Sequence, residues 1–330
     1  MQGGIYRAPP WLGGAGAVGG NAQTIWPALI ARRGGAPVPL RRERWSTPDG
    51  DFVDVDWAGE PAAPGAPLLA LFHGLEGSSA SHYAQAFAAS AAALGWRFAL
   101  PHFRGCSGEP NLAPRAYHSG DFEEVGWMLQ RLRAAHPDGA LLAVGVSLGG
   151  NALLRWAEEA GDTAARSVRA LAAVSAPLDL AAAGAAIGRG FNRLVYTRMF
   201  LSTMRPKALA MLARHPGLFE RERLLAARDL HDFDDVFTAP LHGFRDADDY
   251  WRRASARPHL RRLRVPALIV NARNDPFVPA GSLPGAADIA ASCVLWQPPH
   301  GGHVGFPGGG FPGHALTLPR ALLGWLAAHA

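Results

Sequence analysis

The sequence predicts an α/β fold: a mostly parallel central sheet covered by helices on both faces, with a helical cap inserted between two late strands. Three observations carry this. Strand-length apolar runs alternate with segments of helical spacing between residues 68 and 174 and again from residue 267, which is the pattern of βα units. Residues 179–264 interrupt that alternation with helical patterns and no clear strand, and they are too many for an ordinary loop. The pentapeptide Gly145-Val146-Ser147-Leu148-Gly149 lies where a strand run meets a helical run.

Residues 1–41, rich in Gly, Pro and Ala, read as an irregular N-terminal arm that wraps the domain. Arg42–Thr47 and Phe52–Trp57 flank Pro48-Asp49-Gly50, a hairpin signal. Pro61–Pro67 reads as a loop. The alternation then runs strand Leu68–Phe72, helix Ser81–Leu94, strand Arg97–Leu100, helix Ser119–Ala135 with Ser119 as N-cap, strand Ala140–Val146, a helix after Ser147, and strand Val168–Val174. It resumes with Ala267–Asn271 and Val294–Trp296 and ends in helix Leu316–Ala328. The expected organisation is a core of residues 1–178 and 265–330, with residues 179–264 as a cap over the carboxyl ends of the strands, where open α/β sheets bind ligands.

The chain has 330 residues, 48% hydrophobic and 18% charged, as expected of a folded globular protein. No apolar run is long enough for a membrane span, and Met1–Arg7 carry no charged-then-apolar signal, so the expected location is cytoplasmic. Cys106 and Cys293 are far apart and in no metal spacing, so both are expected as unpaired thiols. The net charge is +5, and Lys207 is the single lysine among many arginines. Residues 189–229 carry nine basic against three acidic residues, and 252–264 carry six arginines and no acid. A solvated helical face is the plain reading, with weak peripheral contact to an anionic membrane surface, or attraction of anionic substrates, as the alternatives. No motif supports nucleic-acid binding.

G-x-S-x-G between a strand and a helix is a nucleophile elbow, in which the turn projects a serine hydroxyl above the sheet. A hydroxyl becomes a useful nucleophile when a histidine, oriented by a carboxylate, accepts its proton. In α/β-hydrolases the acid and then the histidine follow the serine in the chain. Asp275, after strand Ala267–Asn271, fits the acid; an ordinary Asp-Pro turn is the competing reading. His303, after Val294–Trp296 and preceded by two glycines, fits the base ahead of its neighbour His300. The spacing of these two histidines lacks a third metal ligand, and no cofactor is expected. Backbone N–H groups of Leu148, after the serine, and Leu75, in His73-Gly74-Leu75-Glu76-Gly77, are the candidate oxyanion hole. His73 and His118 read as structural residues and Arg104 as a packing residue. Phe191, Tyr196, Met199, Phe200, Met204, Met211 and Phe219 are candidates either for an acyl pocket or for core contacts between cap helices.

Eight stretches, in order along nearly the whole chain, resemble the YheT-like family of α/β-hydrolases, also called the AB hydrolase 4 family. They are Asn21-Ala22-Gln23-Thr24-Ile25-Trp26-Pro27, His73-Gly74-Leu75-Glu76-Gly77-Ser78-Ser79, Phe103-Arg104-Gly105-Cys106-Ser107-Gly108, and Gly145-Val146-Ser147-Leu148-Gly149-Gly150-Asn151; then Pro177-Leu178-Asp179-Leu180, residues 237–244, Asn274-Asp275-Pro276-Phe277, and His300-Gly301-Gly302-His303-Val304-Gly305-Phe306. The resemblance implies an α/β-hydrolase fold and a Ser-Asp-His triad at Ser147, Asp275 and His303. It also implies cleavage of a small-molecule acyl ester or lipid-like substrate, with transfer of the acyl group to an alcohol as the alternative. Ala22 and Asn274 depart from the family pattern, Asn274 standing where an acid is frequent. A non-catalytic binding protein is disfavoured because every position is filled, and dehalogenase or epoxide-hydrolase chemistry because it needs a carboxylate at the elbow.

Overall fold

The computed structural model describes residues 6–14, 16–32, 37–59 and 64–330. Parts of the expected arm (residues 1–5, 15 and 33–36) and the start of the expected Pro61–Pro67 loop lie outside the described residues. Eight strands form one sheet: β1 (Arg41–Ser46), β2 (Phe52–Ala58), β3 (Leu68–Phe72), β4 (Arg97–Pro101), β5 (Leu141–Val146), β6 (Ala170–Val174), β7 (Ala267–Val270) and β8 (Cys293–Trp296). Their spatial order is β1-β2-β4-β3-β5-β6-β7-β8. The β1–β2 and β2–β4 pairings are antiparallel and the others parallel.

The near-continuous apolar runs of β3, β5 and β6 are explained by burial on both faces. Successive side chains alternate between two cores: Leu68, Ala70 and Phe72 on one side of the sheet, Leu69 and Leu71 on the other. β1 is an edge strand and carries charges that blunt it against further pairing. Arg42 and Arg44 sit opposite Asp56 and Asp54 in the β1–β2 register, and each pair closes to 2.7 Å.

Helices α2 (His82–Ala93), α3 (Phe122–Ala135), α4 (Leu148–Ala160) and the C-terminal Thr317–Ala327 cover the sheet. Between β6 and β7 the structure contains helices only, among them α5 (Leu180–Ile187), α6 (Arg198–Arg214) and α7 (Ala247–Ala254). Gly190–Asn192 and a π-helical turn, Arg193–Thr197, lead directly into α6.

Two expectations are corrected. The arm is not irregular throughout, since Ala17–Leu29 forms helix α1 despite Gly19, Gly20 and Pro27. Those glycines mark close packing rather than a loop: a Cβ on Gly20 would strike the Asn274 carbonyl. Asp121, not Ser119, caps α3, its carboxylate accepting from the Glu124 N–H. Ser119 instead offers its carbonyl and hydroxyl oxygens to the amide of Asn151.

Asn151, buried on α4, ties the elbow helix to its surroundings. Its Nδ2 donates to the carbonyls of Ser119 and Ala254, each at 2.8 Å, and its Oδ1 accepts from Ala256 N at 3.0 Å. Asn151→Ala leaves three buried backbone groups unpaired, so the urea midpoint should drop by the equivalent of about 3 kcal/mol. An unchanged midpoint would remove this residue from the account of stability.

Candidate active site

Ser147 sits at φ 53° and ψ −119° between β5 and α4. A non-glycine residue at positive φ is strained and persists only where its surroundings hold it. Here Ser147 N donates to the Val174 carbonyl at 2.8 Å, so the neighbouring strand fixes the turn. The flanking glycines have a steric cause. A Cβ on Gly145 would strike the Gly149 carbonyl, and one on Gly149 would strike the carbonyls of Phe72 and His73. Strain is not confined to the serine: Glu76, Ser175, Val304 and Phe306 also have positive φ.

The structure brings Ser147, Asp275 and His303 into one hydrogen-bonded line. His303 Nε2 lies 2.9 Å from Ser147 Oγ, and His303 Nδ1 lies 2.9 Å from Asp275 Oδ2. Asp275 Oδ1 accepts from Phe277 N at 2.8 Å and Val278 N at 3.2 Å, which orients the carboxylate. Facing an acceptor, Nδ1 carries the imidazole proton, and the Nε2 lone pair faces the hydroxyl. The Phe277 ring packs on the imidazole with centroids 4.3 Å apart. His300 is elsewhere, its Nδ1 accepting from Ala8 N.

Leu75 and Leu148 border the same cavity as Ser147. Leu148 is the first residue of α4, and initial N–H groups of a helix have no intrahelical partner. Around Leu75 the N–H of Gly74 goes to Tyr83 Oη, that of Glu76 to Tyr117 Oη and that of Gly77 to the Gly74 carbonyl. The Leu75 N–H has no such partner among the described residues. His73 supports this loop from beneath: it is fully buried, its Nδ1 donates to Gly74 O at 2.8 Å, and its Nε2 accepts from Phe103 N at 3.0 Å. Burial pushes its pKa down to about 3, so it stays neutral. Arg104 is more than a packing residue, since it joins Asp49 and Asp51 of the hairpin to Glu124 of α3. Burial raises the Cys106 thiol to about 12, which keeps it inert as a nucleophile.

The sequence reading missed the clamp on the histidine loop. Gln23, buried on α1, accepts through Oε1 from Asn274 Nδ2 and from Gly301 N, each at 2.9 Å. Asn274 Oδ1 accepts from Gly302 N at 3.1 Å, and Thr24 Oγ1 accepts from His303 N at 2.8 Å. Three successive N–H groups of the histidine loop are thus taken by α1 and the acid loop. The available signal was the Gln23-Thr24 pair, recognised as a motif without a role.

Above Ser147 opens a cavity of about 540 Å³ whose lining is mainly apolar. Of the aromatic and methionine candidates, Phe200, Met204 and Met211 line it. Tyr196 is buried against Phe277, and Phe219 packs on Phe237. Phe191 and Met199 face solvent.

A family profile described as alpha/beta hydrolase fold matches residues 67–309. The chain is 40% identical to the provisionally named esterase YheT of Escherichia coli (strain K12), over 94% of this chain and 90% of that protein. The chain belongs to the YheT-like family of α/β-hydrolases. This YheT-like chain is also 27% identical to phospholipase ABHD3 of Mus musculus, over 91% of its own length and 74% of that protein's. Its fold matches the esterase Est1E of Butyrivibrio proteoclasticus, solved with ferulic acid bound. The TM-score is 0.56 with 15% identity, over 87% of this chain and 98% of that one. These relatives make it a hydrolase of that family.

His118, which borders the cavity, and His242, whose ring lies tilted against it with centroids 4.4 Å apart, are pushed by burial to about 3 and about 2. With His73 they fold as neutral rings. The unfolded chain takes up their protons as pH falls below about 6.5, so the stability they allow is complete above that value. It declines as pH falls from there toward about 3. His242 Nε2 is buried without a hydrogen-bond partner among the described residues. His242→Leu should therefore flatten the fall in urea midpoint between pH 7 and pH 5. A slope equal to that of the unaltered protein would refute this assignment.

Proposed function

We propose that this YheT-like chain hydrolyses carboxylic esters with apolar acyl groups through an acyl-enzyme on Ser147. The observation that carries this is the 2.9 Å approach of His303 Nε2 to Ser147 Oγ at the floor of an apolar cavity. In this reading His303 takes the hydroxyl proton as Oγ bonds to the ester carbonyl carbon. The N–H groups of Leu75 and Leu148 receive the oxyanion, and Asp275 stabilises the imidazolium. Collapse expels the alcohol, which takes the proton from His303. Water then gives a proton to His303 as its oxygen bonds to the acyl carbon; the bond to Ser147 breaks, Ser147 Oγ takes that proton back from His303, and the acid is released. Helices of residues 179–264 act as a cap that supplies acyl-binding side chains such as Phe200, Met204 and Met211. The names esterase and phospholipase of the two relatives are in keeping with an ester substrate.

A fluorophosphonate probe should label the wild type and leave Ser147→Ala unlabelled, with kcat on a nitrophenyl ester falling by about 10⁴-fold or more. With ethanol added, free acid should remain the main product; an unlabelled wild type would sink the proposal. Gln23 and Thr24 act in this reading as positioning residues. Thr24→Val should lower kcat by about tenfold or more with KM little changed, and Thr24→Ser should restore it. Equal loss in both variants would mean that the hydroxyl has no positioning role.

A further inference from the structure

From Leu180 to Phe219 the sequence contains six basic residues and no acidic one. Three of the six have partners: Arg205 donates to the Ala227 carbonyl, Lys207 pairs with Glu76 at 2.8 Å, and Arg214 donates to the Asn111 carbonyl. The other three, Arg189, Arg193 and Arg198, are exposed and form no ion pair among the described residues. They are interleaved with large apolar side chains that also face solvent: Phe191 (52% exposed), Leu194 (59%), Val195 (38%) and Met199 (51%). Offsets of three and four residues place 191, 194, 195 and 199 along one side of the helical run that enters α6. Farther along, the same run turns Phe200, Met204 and Met211 into the cavity above Ser147.

We propose that this strip, from Arg189 to Met199, docks the protein onto an anionic lipid surface, from which the ester substrate reaches the cavity. The substrate clause rests on the proposed ester hydrolysis; the docking does not. The chemistry is that of an interfacial helix, with apolar side chains entering the headgroup boundary and arginines meeting anionic headgroups. Charge selects the occupant. A second copy docked about a two-fold axis would set the same unpaired arginines against each other, with no acid on the strip to receive them.

Flotation of the full chain with vesicles tests this. The protein should float with vesicles containing phosphatidylglycerol, float far less with pure phosphatidylcholine, and lose binding as salt rises. Arg193→Ala and Arg198→Ala should each lower partitioning about fivefold, and Leu194→Glu with Met199→Glu should abolish it. Hydrolysis of a soluble short-chain ester should be unchanged in all four substitutions. Absence of binding to anionic vesicles, binding unaffected by the substitutions, or loss of a dimer on substitution would each overturn the docking proposal. A wild type that binds vesicles but cleaves no ester would instead overturn the hydrolase reading and leave docking standing.

Discussion

A serine at φ 53° needs a sheet built around it. The turn from β5 into α4 brings Gly149 so near the Phe72 and His73 carbonyls at the end of β3 that no side chain fits. The Val174 carbonyl at the end of β6 holds the Ser147 N–H. Three adjacent parallel strands, β3, β5 and β6, therefore meet at one strained residue. The resulting geometry projects Oγ toward the loops that follow β7 and β8, which bear Asp275 and His303. Backbone strain of this kind costs on the order of 1–3 kcal/mol and is held by the surrounding hydrogen bonds and packing.

The histidine loop repeats the logic with different means. Val304 and Phe306 have positive φ, and Val304 is β-branched, so the loop cannot hold its own shape. Its N–H groups from Gly301 to Val304 are received in turn by Gln23, Asn274, Thr24 and Ser175. Asn274 shows why the amide suits this position. Its Nδ2 donates to Gln23 while its Oδ1 accepts from Gly302, whereas a carboxylate there would have no hydrogen to give. The departure from the family pattern at 274 thus matches the partner that α1 presents.

The sheet and the polar residues at its carboxyl edge were legible in the sequence for a common reason. Buried parallel strands are written as uninterrupted apolar runs, and Ser147 and Asp275 each follow one within a few residues, while His303 follows the short, partly exposed apolar run of β8. Helix α1 was not legible because Gly19, Gly20 and Pro27 give it poor propensity; the two glycines are there for close approach to the Gly14 and Asn274 carbonyls, not for helix formation. The cap of α3 was misplaced by two residues because Ser119 and Asp121 are both good capping residues. The choice was made by Asn151, far away in sequence, which engages Ser119. The clamp of Gln23 and Thr24 joins residues more than 250 positions apart, a separation no local pattern reports.

The helical run from Gly190 to Arg214 serves two surfaces at once, and its π turn is where they part. A π turn adds a residue relative to the α-helical repeat and so rotates the later side chains about the axis. Before it ends, Phe191, Leu194 and Val195 face solvent while Tyr196 turns inward, its hydroxyl bonded to Asn21 of α1 and its ring against Phe277. After it, Phe200 and Met204 face the cavity and Lys207 reaches Glu76, the residue next to Leu75. The run is therefore anchored at one end to the helix that holds the histidine loop and at the other to the loop that offers the Leu75 N–H.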